Sequence, residues 1–117
     1  MKDSDFFFGL ANYGQEREVD ATEGEQRMFE ILREMFQSKG YKPEQLKLVR
    51  KSDNYVAAAI GDYDLARFKA TNRVTWIIFP FEIGAVKHRI ESVEEVYEFS
   101  DLLDRQIESM TYVEFEK

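Results

Sequence analysis

The fold is decided by residues 63–79, which read YDLARFKATNRVTWIIF. Apolar and polar side chains alternate in the first half, and β-branched and aromatic residues dominate the second half. A short polar connection, Thr71-Asn72, separates the halves, and Pro80 follows the second. Runs of this composition joined by a tight polar turn are typical of a β-hairpin. Because the second run is apolar on both faces, it predicts a central strand in which Trp76 is either buried or exposed.

Further strands are predicted on both sides of this hairpin. Residues 46–51 and 55–60 form two runs that are separated by the turn Ser52-Asp53-Asn54, and residues 86–90 are a candidate fifth strand at the sheet edge. Short turns between successive runs indicate antiparallel neighbours. The sequence therefore predicts an antiparallel sheet of four to five strands over residues 46–90.

Two amphipathic helices flank the predicted sheet. Thr22 with Glu25, and Ser92 with Glu95, match the capping box, in which two side chains satisfy backbone amides at a helix start. Apolar residues then recur at spacings of three and four, which predicts helices over 22–39 and 92–110. One apolar stripe per helix and one sheet face fit an α+β two-layer sandwich. We expect one domain, residues 1–117, with an N-terminal arm (1–21) and a tail (111–117).

The composition excludes several classes of protein. The 117 residues fit one domain, and 44% of them are hydrophobic, which supplies a core. The absence of cysteine excludes disulfides, thiol catalysis and thiolate metal sites. No apolar run reaches the roughly 18 residues of a membrane span. Asp3 and Asp5 stand where a signal peptide carries bases. We expect a cytoplasmic protein that binds no membrane and no cofactor.

The formal net charge of -7 is unevenly distributed. Residues 1–41 carry five bases and nine acids, residues 42–89 carry nine bases and five acids, and residues 90–117 carry two bases and nine acids. The predicted sheet therefore has a charge of +4 between flanks of -4 and -7. This separation indicates one surface that attracts polyanions and another that attracts polycations.

The basic sheet suggests a nucleic-acid surface. Strand alternation predicts that Arg67 and Lys69 share a face with Tyr63 and Leu65, whereas Phe68 faces the helices. Cations that pair with phosphates, beside aromatic rings that stack on bases, hold single-stranded nucleic acid. The leading hypothesis is a non-catalytic interaction domain that binds nucleic acid or a nucleoprotein partner. Its predicted contact residues are Arg50, Lys51, Arg67, Lys69, Arg73 and Trp76.

The acidic second helix supports an alternative hypothesis. A strongly negative helix can occupy the basic nucleic-acid channel of another protein, because charge complementarity selects partners and speeds association. The chain would then be a phage-type inhibitor of a host defence nuclease, such as an anti-CRISPR or anti-restriction protein. The predicted contacts on this face are Glu94, Glu98, Asp101 and Asp104.

Three further features admit a functional or a structural interpretation. The triplet Phe6-Phe7-Phe8 (the phenylalanine triplet) predicts docking on the domain's own core or on a partner, a second copy included. His88 and the Asp62/Asp64 pair are the only candidates for catalysis or metal binding that we single out. No partner for either is visible in the sequence, so we interpret them as structural and the protein as non-enzymatic.

Short segments of the chain resemble small accessory modules of bacteria and their phages. The segments are a Ser-x-Asn-Tyr turn (52–55), an Arg-Phe-Lys strand (67–69) and an Arg-x-x-Trp hairpin (73–76). The resemblance covers residues 46–110 and reaches no named family. Such modules stand alone or are appended to nucleic-acid-processing domains, so the resemblance implies a non-catalytic role near nucleic-acid machinery.

Overall fold

Two helices and five strands follow one another in the computed structural model, which describes residues 20–52 and 54–117. The N-terminal helix α1 (Glu23–Ser38) precedes the sheet, and the C-terminal helix α2 (Ser100–Ser109) follows it. The strands are β1 (Lys47–Ser52), β2 (Tyr55–Ile60), β3 (Tyr63–Ala70), β4 (Thr75–Ile78) and β5 (His88–Arg89). Short 3₁₀ segments, Pro43–Gln45 and Val93–Phe99, precede β1 and α2. This order confirms the predicted α+β fold.

The sheet is a meander in which every strand pairs with its neighbours in sequence. Its order is β1-β2-β3-β4-β5, and all four pairings are antiparallel. The hairpin of residues 63–79 forms β3 and β4, and β4 lies inside the sheet, as its apolar faces predict. The fifth strand is an edge strand and contains only two residues.

The core lies between the helices and one face of the sheet, which we call the inner face. Val56, Phe68 and Ile77 are cross-strand partners on this face, and all three are fully buried. The buried apolar residues that α1 contributes are Met28, Ile31, Leu32, Met35 and Phe36. Each such side chain contributes roughly 1.5–3 kcal/mol through burial. The opposite face of the sheet is called the outer face below.

Both predicted capping boxes are present, but the second helix begins differently from the prediction. Val93–Phe99 is a 3₁₀ segment, and the α-helix starts only at Ser100. The predicted continuous helix over 92–110 is therefore wrong in its first half. The apolar residues Val93, Val96 and Phe99 recur every three positions, which matches the three residues per turn of a 3₁₀-helix.

A β-bulge in β3 changes which side chains reach the outer face. Ala58 pairs with Ala66, whereas the next residue Ala59 pairs with Asp64, so Leu65 is the extra residue. Leu65 is fully buried in the core. The prediction that Leu65 shares a face with Arg67 is wrong, because the bulge interrupts the simple alternation. The bulge instead brings the Asp64 carboxylate beside Arg67.

The start of α1 packs closely against the end of β3. The Thr22 hydroxyl donates to the carbonyl of Ala70 at 2.6 Å, and the Ala70 amide donates to the Glu25 carboxylate at 3.2 Å. A Cβ atom at Gly24 would lie 2.8 Å from the Cβ of Ala70, which is closer than two non-bonded carbon atoms normally approach. Position 24 therefore requires glycine for space.

Gly24→Ala is expected to destabilise the protein, although the same change usually stabilises a helix by about 1 kcal/mol. Overpacking of a tight contact costs about 1–3 kcal/mol, which exceeds the gain in propensity. Urea denaturation of both single variants and of the Gly24→Ala/Ala70→Gly double variant measures the effect. The double variant removes the opposing methyl group and should recover stability relative to Gly24→Ala alone. A stabilised Gly24→Ala single variant would show that the close contact does not exist.

Candidate functional site

A row of cations and one tryptophan crosses the outer face. Lys69 pairs with Trp76, and Trp76 pairs with Arg89, so the three residues are cross-strand neighbours on β3, β4 and β5. In the next row Arg67 lies between Ala57 and Ile78. The structure therefore brings together the predicted residues Arg67, Lys69 and Trp76, and it adds Arg89.

Trp76 lies beneath other side chains and is not an open stacking platform. Its side chain is among the buried apolar residues, with 6% of the residue exposed. The Lys87 ammonium lies 4.9 Å from the centre of its indole ring, and the Tyr55 ring lies 6.1 Å away. The indole thus holds Lys87 by a cation–π interaction, which adds a second cation beside Arg89.

Two of the predicted cations are engaged by one buried acid. The Asp64 carboxylate, whose side chain is 6% exposed, accepts a hydrogen bond from Arg67 Nε at 2.8 Å. Lys51 Nζ lies 3.3 Å from the other oxygen, Oδ1, an ion-pair distance without hydrogen-bond geometry. Because a buried carboxylate needs compensating charge, Lys51 and Arg67 are committed to Asp64 and have less charge to offer a ligand.

Arg50 lies on the inner face, away from the other predicted contact residues. It pairs with Val56 across β1 and β2, in the row that leads to the core. Its guanidinium donates to the backbone carbonyls of Asp20 and Ser52 and lies 3.4 Å from a Glu25 oxygen. These contacts give Arg50 a structural role, because they connect the residues at the start of α1 to the edge strand β1.

The two remaining arginines share a cleft at one end of the sheet. The cleft encloses about 510 Å³ between the β3–β4 turn and the residues at β5. Within residues 20–52 and 54–117, neither Arg73 nor Arg89 forms an ion pair with an acid. The cleft is lined by Thr71, Asn72, Arg73, Val74, Thr75, Arg89, Ile90 and Glu91.

Backbone hydrogen bonds fix the two walls of this cleft. The Thr71 hydroxyl accepts from the amides of Arg73 at 3.2 Å and Val74 at 3.1 Å, which closes the turn. The amide of Ile90 donates to the carbonyl of Thr75 at 3.0 Å and extends the pairing past β5. Arg73 and Arg89 therefore extend from backbone that is held in place.

Lys87 and Arg89 are functional candidates that the sequence prediction missed. Their alternation with His88 already indicated that both face away from the histidine. The partner of a short edge strand depends on register, however, and no local pattern predicts that Arg89 pairs with Trp76. His88 itself lies on the inner face in the row of Ile77.

The two candidate sites for catalysis are His88 and the Asp62/Asp64 pair. His88 and Asp64 make structural contacts. His88 Nε2 lies 2.6 Å from a Glu82 carboxylate oxygen, and the His88 ring lies 5.2 Å from the Phe99 ring. Asp64 is held by its two cations, while Asp62 is exposed in the β2–β3 turn. Among the described residues, no group of three or more acidic or histidine side chains is arranged to hold a metal ion.

Half of the predicted acidic face is neutralised within the chain. Glu94 pairs with Arg27 Nε at 3.0 Å, and Asp104 pairs with Lys39 Nζ at 2.8 Å. The hydrogen bond to Glu94 raises the pKa of the Arg27 guanidinium above its usual value. Glu98 and Asp101 form no ion pair in the part of the chain that the structure describes. Among the described residues, the face thus offers two acids without an ion pair, where the sequence predicted four.

Comparison with protein-family models, curated proteins and solved structures gave no match to this chain. The described helices include none that is long and apolar enough to cross a membrane. The phenylalanine triplet and the rest of the N-terminal arm up to residue 19 lie outside the described residues, as does Asp53.

Proposed function

We propose that this protein is a non-catalytic domain that binds the sugar-phosphate backbone of single-stranded nucleic acid. One observation carries the proposal. Arg73 and Arg89 line the same cleft without pairing to a described acid, whereas Arg50, Lys51 and Arg67 are already committed to carboxylates or carbonyls. Guanidinium groups that line one cleft and pair with no acid in the described part of the chain favour an anionic ligand.

The chemistry of the cleft suits a phosphate group. A guanidinium presents a planar fork of donors that matches two phosphate oxygens, and such charge-assisted bonds are the stronger kind. Lys69 and Lys87 flank Trp76 on the adjoining face and can contact neighbouring phosphates. The cations form a basic track along the sheet, with Arg73 and Arg89 at one end and Lys69 and Lys87 beyond them. Along this track the protein recognises the charge and the spacing of the phosphates of a nucleic-acid strand.

The distribution of charge restricts where a polyanion binds. The acids of α2 and its preceding 3₁₀ segment repel phosphates, so the approach is limited to the sheet. Binding through charge releases counterions, and affinity for a single strand falls with salt with a logarithmic slope of about -0.7 per phosphate contact. If one nucleic-acid strand contacts all four cations of the track, the predicted slope is about -3.

Fluorescence anisotropy with a labelled single-stranded oligonucleotide tests the proposal. We expect saturable binding by the full-length protein that weakens as salt increases, because phosphate pairing supplies the affinity. Absence of binding at low salt would contradict the proposed function. A tight complex with a basic nuclease, together with no binding of oligonucleotide, would instead support the inhibitor function, with Glu98 and Asp101 as its contacts.

A further inference from the structure

One acid interrupts the basic outer face of the sheet. Asp64 lies in one row with Lys47 and Ala59, and the following outer-face residues of β3 are Arg67 and Lys69. Among the strand residues that the structure describes, Asp64 is the only acid on this face. An acid repels a polyanion, so its presence between the cations is unexpected for a surface that binds phosphates.

Stability alone does not account for this acid. The Asp64 side chain is 6% exposed, and its Oδ1 atom accepts no hydrogen bond from any described residue. A buried acceptor without a donor lowers the stability of a fold. A buried ion pair is also often no more stabilising than well-packed apolar side chains of similar volume. A purely structural role at position 64 is therefore served as well by an apolar residue.

The Asp64 carboxylate holds two cations from different strands. Arg67 Nε donates to Oδ2 at 2.8 Å, and Lys51 Nζ lies 3.3 Å from Oδ1. Both cations reach solvent, because 39% of the Arg67 side chain and 32% of the Lys51 side chain are exposed. Without the carboxylate, both would be available to a phosphate.

The two held cations adjoin the basic track. Arg67 lies two residues before Lys69 on β3, at about 7 Å along the same face. Lys51 lies on β1, at the edge of the sheet opposite β5. A nucleic-acid strand that continued from Lys69 toward β1 would therefore meet Arg67 and Lys51 as its next cations.

We propose that Asp64 is an internal counter-anion that withholds Lys51 and Arg67 from the ligand and ends the phosphate-binding track at Lys69. The carboxylate occupies the position that a further phosphate would take between the two cations. Asp64 is thus a specificity-determining residue that sets how much of the sheet a strand contacts. This inference rests on the proposed function, because it assigns the part of the basic face that the bound strand leaves unused.

Asp64→Asn removes the charge but keeps the shape and one acceptor oxygen for Arg67. With a labelled single-stranded oligonucleotide long enough to cross the whole sheet, we expect about tenfold or more tighter binding than by the wild type, because a single new charge-assisted contact supplies that factor. Two released cations should also steepen the logarithmic salt slope by about 1.4. Loss of a merely structural contact would produce neither change.

Asp62→Asn is the matched control, because it removes the same charge from an exposed residue of the β2–β3 turn. We expect its affinity and salt slope to stay close to those of the wild type. Equal gains in the two variants, or no gain in an Asp64→Asn protein that circular dichroism shows to be folded, would overturn the proposal. Neither result affects the proposed function, which only loss of wild-type binding contradicts.

A second measurement leaves Asp64 in place. Lys51→Gln and Lys69→Gln each remove one positive charge, but only Lys51 is paired with an acid among the described residues. We expect Lys69→Gln to make the salt slope shallower by about 0.7, and Lys51→Gln to leave the slope unchanged. Equal changes in slope would overturn the proposal, because Lys51 would then already contact the strand in the presence of Asp64.

Discussion

Replacing Arg73 and Arg89 together by glutamate is expected to weaken oligonucleotide binding by about a hundredfold or more. Each charge-assisted hydrogen bond contributes about 1.5–3 kcal/mol, and two lost guanidinium contacts therefore remove at least about 3 kcal/mol. Two carboxylates in the same cleft add repulsion to the loss. Both side chains are exposed at the protein surface, so the fold should be retained.

A matched control separates the cleft from the net charge. Arg105→Glu/Lys117→Glu changes the net charge by the same amount, but it alters cations that lie over the rings of Phe81 and Tyr41. We expect this variant to bind oligonucleotide nearly as the wild type does, because its cations lie outside the track. Anisotropy titrations of the three proteins in one buffer make the comparison. Equal losses in the two variants would show that total charge, and not the cleft, determines binding.

Replacing Glu25 by alanine is expected to destabilise the protein by about 3–5 kcal/mol, the usual loss when one partner of a buried ion pair is removed. Glu25 is 2% exposed and joins three elements of the fold. One carboxylate oxygen accepts from the Thr22 amide at 3.0 Å and lies 3.4 Å from Arg50, and the other accepts from the Ala70 amide at 3.2 Å. The variant leaves these donors without their acceptor.

Urea denaturation followed by circular dichroism measures this loss. Glu25→Gln keeps the shape and one acceptor oxygen, so we expect it to lose less stability than Glu25→Ala. Glu23→Ala removes an exposed acid from the same first turn and should cost no more than about 1 kcal/mol. A Glu25→Ala variant as stable as Glu23→Ala would contradict the role of Glu25 as the link between α1, β1 and β3.

Local patterns predicted most of the fold. The Thr71-Asn72 turn and the two capping boxes depend on residues a few positions apart, and all of them are confirmed in the structure. The bulge at Leu65 was not predictable, because it arises from the pairing of β3 with β2. The 3₁₀ segment was missed because spacings of three occur in both helix types, although Val93, Val96 and Phe99 carry the signal.

The candidate site was only partly predictable, because it too depends on the pairing of distant segments. Alternation along β3 placed Arg67 and Lys69 on one face, and the structure agrees. Which cations are free depends on acids from other strands or from α1, such as Asp64 for Lys51 and Glu25 for Arg50. No single segment contains that information. The cleft between Arg73 and Arg89 likewise exists only after β4 and β5 pair.

The salt dependence of oligonucleotide binding tests the central claim most directly. The logarithm of the affinity is measured against the logarithm of the salt concentration for the wild type and for Arg73→Ala/Arg89→Ala. If both guanidinium groups contact phosphates, the slope of the variant is shallower by about 1.4, or about 0.7 for each lost contact. Parallel lines for the two proteins would contradict the assignment of the cleft as the phosphate-binding site.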